Sequence, residues 1–219
     1  MSWIQDVSNR CHESVCYHIN MKLIIVRHGE TDRNRFGLHT GHVKVSLNAT
    51  GRQQVERVAE RLASERIDII YSSDLLRAKE TAKAISVKHP EAELVLDVEL
   101  RERNSGVFSS QPIAEKEAAE KASGQHFRDW KPKDGESLRE VKERARRWYT
   151  QHRQIDADKT VLVVSHGLFI YTLMEWAIAA GADVEWPKLR HQNAAVTILD
   201  VPVEGTAYVV HLNDTTHLQ

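Results

Sequence analysis

The chain has 219 residues, 41% of them hydrophobic, enough for one domain with a full α/β core. Its 30 basic and 31 acidic residues are interspersed and leave a formal net charge of −1, which excludes the electrostatic footprint of a nucleic-acid or acidic-membrane binder. No run approaches the roughly 18 apolar residues needed to span a bilayer.

Residues 1–20 lack an apolar stretch long enough for a secretory leader, and they hold both cysteines, in Cys11-His12-Glu13-Ser14-Val15-Cys16-Tyr17-His18. Two thiols and two imidazoles are zinc-ligand types, but their spacing fits no common zinc pattern, and a cytosolic disulfide is not expected. The segment reads as an extension, flexible or folded into a short docked helix, with Met21 as an alternative translation start.

A first strand is expected over Lys22–Val26, where an apolar, β-branched run stops at Arg27-His28-Gly29-Glu30-Thr31. A long polar loop, Glu30–Asn48, follows. Next comes a helix over Thr50–Ser64, with Val55, Val58, Ala59 and Leu62 on one buried face. A strand over Asp68–Tyr71 leads to a helix over Leu75–Val87, with Leu76, Ala84 and Ile85 inward, and then a strand over Glu93–Leu96. Residues 103–134 are the least regular, with a helix over Pro112–Ala122 and a loop or short helix over Gln125–Lys133.

Ser137-Leu138-Arg139-Glu140 is a capping box opening a helix to about Gln154, whose apolar stripe is Leu138, Val141, Ala145 and Trp148. A strand over Thr160–Val164 ends in Ser165-His166-Gly167 and leads into a helix over Leu168–Ala180. Strands over Ala195–Val201 and Ala207–Leu212 extend or edge the sheet. This alternation predicts an α/β fold with a mostly parallel sheet covered on both faces.

In such sheets ligands bind beyond the carboxyl ends of the strands. Two strands that each end in His-Gly can bring two imidazoles to one sheet edge. The arginine beside them points to an anion, and the anion that reacts with imidazole in water is a phosphoryl group.

Arg27-His28-Gly29-Glu30-Thr31 resembles the signature of the histidine phosphatase superfamily, also called phosphoglycerate mutase-like. Asn34, Ser72-Ser73-Asp74-Leu75-Leu76-Arg77-Ala78 with Thr81, Leu100-Arg101-Glu102, Asp134-Gly135-Glu136-Ser137 and Ser165-His166-Gly167 match its later motifs in order. The resemblance runs from about Met21 to Asp200. It implies a three-layer α/β/α sandwich over residues 21–219, with a cap-like insertion near 103–134 that shapes substrate choice.

The resemblance also implies roles. His28 is the nucleophile, its second ring nitrogen held by a backbone carbonyl. Arg27, Asn34, Arg77 and His166 surround the phosphoryl group, and Glu102 is the acid, later the base. Strand alternation would turn Arg101 and Arg103 away from Glu102. Thr40 and Gly41 are expected to bind substrate through backbone amides, with Gly167 beside them, and His42 sits where family members place a substrate-facing loop. The cations replace a metal, so neither metal nor cofactor is expected.

The expected activity is hydrolysis of small phosphorylated metabolites in the cytoplasm, by a monomer or homodimer. Mutase-type phosphoryl transfer and a non-catalytic phospho-ligand module are the alternatives. The stretch Leu100–Val107 resembles the fructose-2,6-bisphosphatase-like branch, and Thr40-Gly41-His42 the α-ribazole phosphatase-like one.

Overall fold

The computed structural model describes residues 20–184 and 189–219. The Cys11–His18 cluster lies outside the described residues. Strands β1 (Asn20–Arg27), β2 (Ile69–Ser73), β3 (Glu93–Asp97), β4 (Thr160–Ser165), β5 (Val196–Pro202) and β6 (Tyr208–Asp214) form one sheet in the order β3-β2-β4-β1-β5-β6. The first four strands are parallel; beyond β1, β5 pairs antiparallel with β1 and β6 antiparallel with β5. The two C-terminal strands therefore extend and edge the sheet, as expected.

Helices α1 (Asp32–Arg35), α2 (Ala49–Leu62), α3 (Leu76–Ser86), α4 (Ile113–Ala122), α5 (Leu138–Ile155) and α6 (Gly167–Ala179) join them. Because side chains alternate along a strand, β1 sends Ile24 and Val26 to one face and Leu23 and Ile25 to the other. Ile24 and Val26 pack with Val58 and Leu62 of α2 and Ala78, Ala82 and Ile85 of α3. Leu23 and Ile25 pack with Trp148 of α5 and with Phe169 and Leu173 of α6. This is the expected three-layer sandwich. No helix among the described residues is long and apolar enough to cross a membrane.

Two local expectations are corrected. The loop after β1 contains α1, capped reciprocally by Thr31 and Asn34, a turn too short to leave an apolar period. In α3 the inward row is Ala78, Ala82 and Ile85, whereas Leu76 and Ala84 are only half-buried. The small alanines let α3 lie close to the sheet, and that turns Arg77 inward with them.

The first turn of α2 abuts the loop after β1. A Cβ on Gly51 would lie 2.0 Å from the carbonyl oxygen of Glu30, so only glycine fits there. Register pairs Arg27 of β1 with Ser165 of β4, so His28 and His166 leave the sheet side by side.

Candidate active site

The carboxyl ends of β1, β2 and β4 open into a cavity of about 470 Å³, with Arg27, His28, Asn34, Thr40, Gly41, Arg77, Glu102 and Gly167 in its wall. These residues come from six separate stretches of chain, and the sheet gathers them at one edge.

His28 is 3% exposed, and its Nδ1 lies 2.7 Å from the Gly29 carbonyl oxygen. A carbonyl only accepts, so Nδ1 carries the proton. Nε2 then accepts the Nε–H of Arg77 across 3.2 Å, because a guanidinium only donates. The ring is thus a neutral Nδ1–H tautomer with its Nε2 lone pair outward. Burial first, then the charges of Arg77 and Arg27, holds the His28 pKa well below its ordinary value. Thr81 braces the site, accepting from the Gly29 amide at 3.2 Å and donating to the Arg77 carbonyl at 2.8 Å.

Arg77 is 1% exposed and donates through Nη2 to the Gly41 carbonyl at 2.9 Å. Burial lowers its pKa to about 10. Arg27 donates through Nη1 to the His191 carbonyl at 2.7 Å, and its Nε is buried without a partner among the described residues. Burial lowers Arg27 as well, against the raising effect of Glu102. Among the described residues neither guanidinium forms an ion pair; their bonds go to main-chain oxygens and to His28.

Glu102 accepts from the amides of Arg103 at 2.8 Å and of Leu168, at the amino end of α6, at 3.3 Å. Arg101 turns away, as expected, and pairs with Asp74 through two nitrogens. Arg103 does not. The segment is no strand but an irregular run after a 3₁₀ turn at Val98–Leu100, so alternation fails. Arg103 is 4% exposed and lines the same cavity as Glu102.

His166 is fully buried beside His28, with ring centroids 5.1 Å apart. Its Nε2 lies 2.8 Å from Ser73 Oγ, and its Nδ1 is buried without a partner among the described residues. Burial and the charge of Arg77 hold its pKa well below the ordinary value.

Asn34 accepts at Oδ1 from the amide of Thr31 at 3.2 Å and from Asn193 Nδ2 at 3.3 Å, which leaves its NH₂ end for the cavity. Gly41 makes its observed contact with Arg77 through its carbonyl rather than its amide. Its φ is +46° and a Cβ would lie 2.9 Å from the Ser105 amide, so glycine is required. His42 stands behind the wall, its Nε2 2.7 Å from the carbonyl oxygen of Glu102.

Sequence reasoning missed Ser73, Lys116, Arg190 and Asn193, and it took His191 as an ordinary surface or supporting histidine. Ser73 stood inside a quoted motif without a role. Lys116 and Arg190 line the cavity, but Lys116 sits in an alanine-, glutamate- and lysine-rich helix that reads as solvated. His191 and Asn193 lie on a loop with no period to find. Asn193 Nδ2 donates to the His28 carbonyl at 2.9 Å and lies 3.4 Å from that of Gly29.

The sequence profile of the histidine phosphatase superfamily (branch 1) matches residues 23–215. Phosphoglycerate mutase-like protein 4 of Arabidopsis thaliana is 34% identical over 205 residues, covering 90% of this chain and 87% of that protein. The Entamoeba histolytica phosphoserine phosphatase, solved in complex with 3-phosphoglyceric acid, superposes with a TM-score of 0.77 at 27% identity, over 91% of this chain and 100% of that one. A mycobacterial glucosyl-3-phosphoglycerate phosphatase complexed with VO3 superposes with a TM-score of 0.75 at 26% identity, over 89% and 100%.

Proposed function

The chain belongs to the histidine phosphatase superfamily, and we propose that it hydrolyses small phosphate monoesters through a phosphohistidine formed on His28. The observation that carries this reading is the neutral His28 ring, its Nε2 held by the buried guanidinium of Arg77, with neither Arg77 nor the half-buried Arg27 in an ion pair with a carboxylate among the described residues. A phosphoryl dianion supplies the charge those groups lack, and the imidazole supplies a nucleophile.

Nε2 attacks phosphorus, the P–N bond forms as the ester P–O bond breaks, and the leaving oxygen takes a proton from Glu102. The Glu102 carboxylate then takes a proton from water, whose oxygen attacks phosphorus. The P–N bond breaks, phosphate leaves, and His28 and protonated Glu102 are restored. Arg27, Arg77 and the NH₂ of Asn34 stabilise the equatorial oxygens. The buried Nε of Arg27 and Nδ1 of His166 gain partners once a phosphoryl oxygen reaches them. Gly41 orients Arg77 through its carbonyl, and Thr40 and Gly167 complete the wall.

Because these cations compensate the phosphoryl charge, we take the reaction to be metal-independent. We place it in the cytoplasm, since charged phosphate esters stay in the compartment that makes them. The mutase alternative uses the same residues and replaces water with a second hydroxyl.

The test is phosphate release from a panel of small phosphate esters in EDTA, with His28→Ala as control. Release that vanishes in the variant is expected. Undiminished release by a folded His28→Ala protein overturns the mechanism. An isomerised ester without free phosphate selects the mutase alternative.

A further inference from the structure

His166 and Ser73 are both fully buried, and His166 Nε2 lies 2.8 Å from Ser73 Oγ. Ser73 is the last residue of β2, and His166 follows the last residue of β4. In the sheet β4 lies between β2 and β1, so Ser73 ends one neighbour and His28 stands just past the end of the other. The His166 ring therefore sits between Ser73 and the ring of His28.

A hydroxyl has one hydrogen to donate and two lone pairs that accept. Ser73 Oγ accepts from the Leu75 amide at 3.3 Å. Among the described residues its own hydrogen has one acceptor in reach, Nε2 of His166. The neighbouring Ser72 hydroxyl does not compete, because it donates to the Ser73 carbonyl at 3.0 Å. Reversing the bond, with Nε2–H donating to Oγ, would leave the Ser73 hydrogen buried without an acceptor, which is costly. Ser73 is therefore the donor and Nε2 the acceptor.

The His166 ring is neutral, since burial and then the Arg77 charge hold its pKa well below the ordinary value. A neutral imidazole has one N–H, so the proton is on Nδ1. That nitrogen is buried without a partner among the described residues, and it is directed away from Ser73 because Nε2 is turned toward it.

We propose that Ser73 is a positioning residue: by donating to Nε2 it fixes His166 as the Nδ1–H tautomer, so that this ring donates to the transferred phosphoryl group and does not compete with His28 as nucleophile. This rests on the phosphatase reading above and gives Ser73 a part in that site.

Both rings are Nδ1–H tautomers with a donor on Nε2, Arg77 for His28 and Ser73 for His166. The donors differ. Arg77 lines the cavity, where an incoming phosphoryl group competes for its N–H groups and releases the His28 lone pair. Ser73 has no second acceptor among the described residues, so the His166 lone pair stays capped. Without Ser73 the ring can carry its proton on Nε2, and the lone pair then left on Nδ1 repels the phosphoryl oxygens.

Two-bond proton–nitrogen correlation spectra of the full chain with labelled histidine read the tautomer directly, the His166 signals being those lost in His166→Gln. At neutral pH without ligand, the native chain is expected to show Nδ1 protonated and Nε2 bare. A ring protonated on Nε2, or on both nitrogens, overturns the proposal without recourse to any Ser73 variant.

In Ser73→Ala the Nδ1–H form should give way to Nε2–H or to a mixture. The calorimetric affinity for vanadate, which stands in for the transferred group, should fall by about tenfold, the worth of one hydrogen bond to a charged partner. Ser73→Thr keeps the hydroxyl and restores both. A tautomer that Ser73→Ala leaves unaltered, or an unchanged vanadate affinity once the tautomer has switched, also overturns the proposal.

Phosphate release separates this from the phosphatase reading. The Nδ1–H tautomer and its dependence on Ser73, found in a chain that hydrolyses no ester, uphold the role of Ser73 and remove the phosphatase reading. Hydrolysis that depends on His28, in a chain whose His166 is protonated on Nε2, does the reverse.

Discussion

The Nε–H of Arg77 donates to Nε2 of His28 across 3.2 Å, while the Nδ1–H of the same ring is held by the Gly29 carbonyl at 2.7 Å. The two bonds select one neutral tautomer and bring a cation against the very lone pair that would attack phosphorus. Nucleophile and charge stabiliser are therefore placed by the same contact.

Arg77→Lys keeps the charge and loses the planar fork that bridges His28 and the Gly41 carbonyl. Its kcat/KM is expected to fall by about 10² to 10³, the usual cost of removing one preorganised donor from a developing oxyanion. Steady-state kinetics on the best ester measures it. A fall of less than about threefold would show that Arg77 does not contact the transferred group.

Glu102→Gln keeps the shape of the side chain and removes its proton chemistry. Turnover is expected to drop by about 10² to 10⁴, the range for a general acid or base. Vanadate affinity, which reports the arginines and His28, should be nearly unchanged. Loss of vanadate binding instead would make Glu102 a structural support for Arg103 and α6.

Asn193 is a positioning residue. It donates to the His28 carbonyl, lies near that of Gly29, and holds Oδ1 of Asn34. Asn193→Ala frees both the carbonyl that fixes the tautomer and the rotamer of Asn34. The Gly29 carbonyl raises the His28 pKa, so loosening it should lower kcat and move the acid limb of the pH–rate profile toward lower pH, with little change in thermal midpoint. Asn193→Asp should not rescue it, because a carboxylate cannot donate. An unchanged profile with lowered stability would mean that Asn193 serves the fold alone.

Buried neutral histidines couple folding to pH. His191 is fully buried and His39 half-buried, and burial lowers both pKa values from 6.5 to about 4. Between those values the unfolded chain binds more protons than the folded one, so stability is complete above pH 6.5 and falls as pH drops toward 4. His28 and His166 act in the same direction. Thermal midpoints across this range should decline steadily, and His191→Gln, which cannot titrate, should flatten the decline. A midpoint independent of pH there would refute the assignment of these rings as neutral.

Periodicity served where one residue type repeats on one face. The strand runs before Arg27 and Ser165, the inward row of α2 and the capping box of α5 are all legible, because burial on a regular element leaves a period. Thr31 and Asn34 cap a helix of four residues, which is shorter than any period. The inward row of α3 was misread because alanine is weakly apolar in a sequence, yet Ala78 and Ala82 are fully buried against the sheet.

By itself the sequence determined the layered α/β fold and put Arg27 and His28 at a strand end, where ligands collect; Arg77 and Glu102 were legible through the resemblance to the family. Tertiary structure alone decided the rest. It turned Arg103 into the cavity, set the His166 ring beside that of His28, set the neutral tautomer through Gly29 and Arg77, and brought Asn193 and Lys116 to the site from loops and helices far along the chain. These depend on distances between segments separated by as many as 165 residues, which no local pattern encodes.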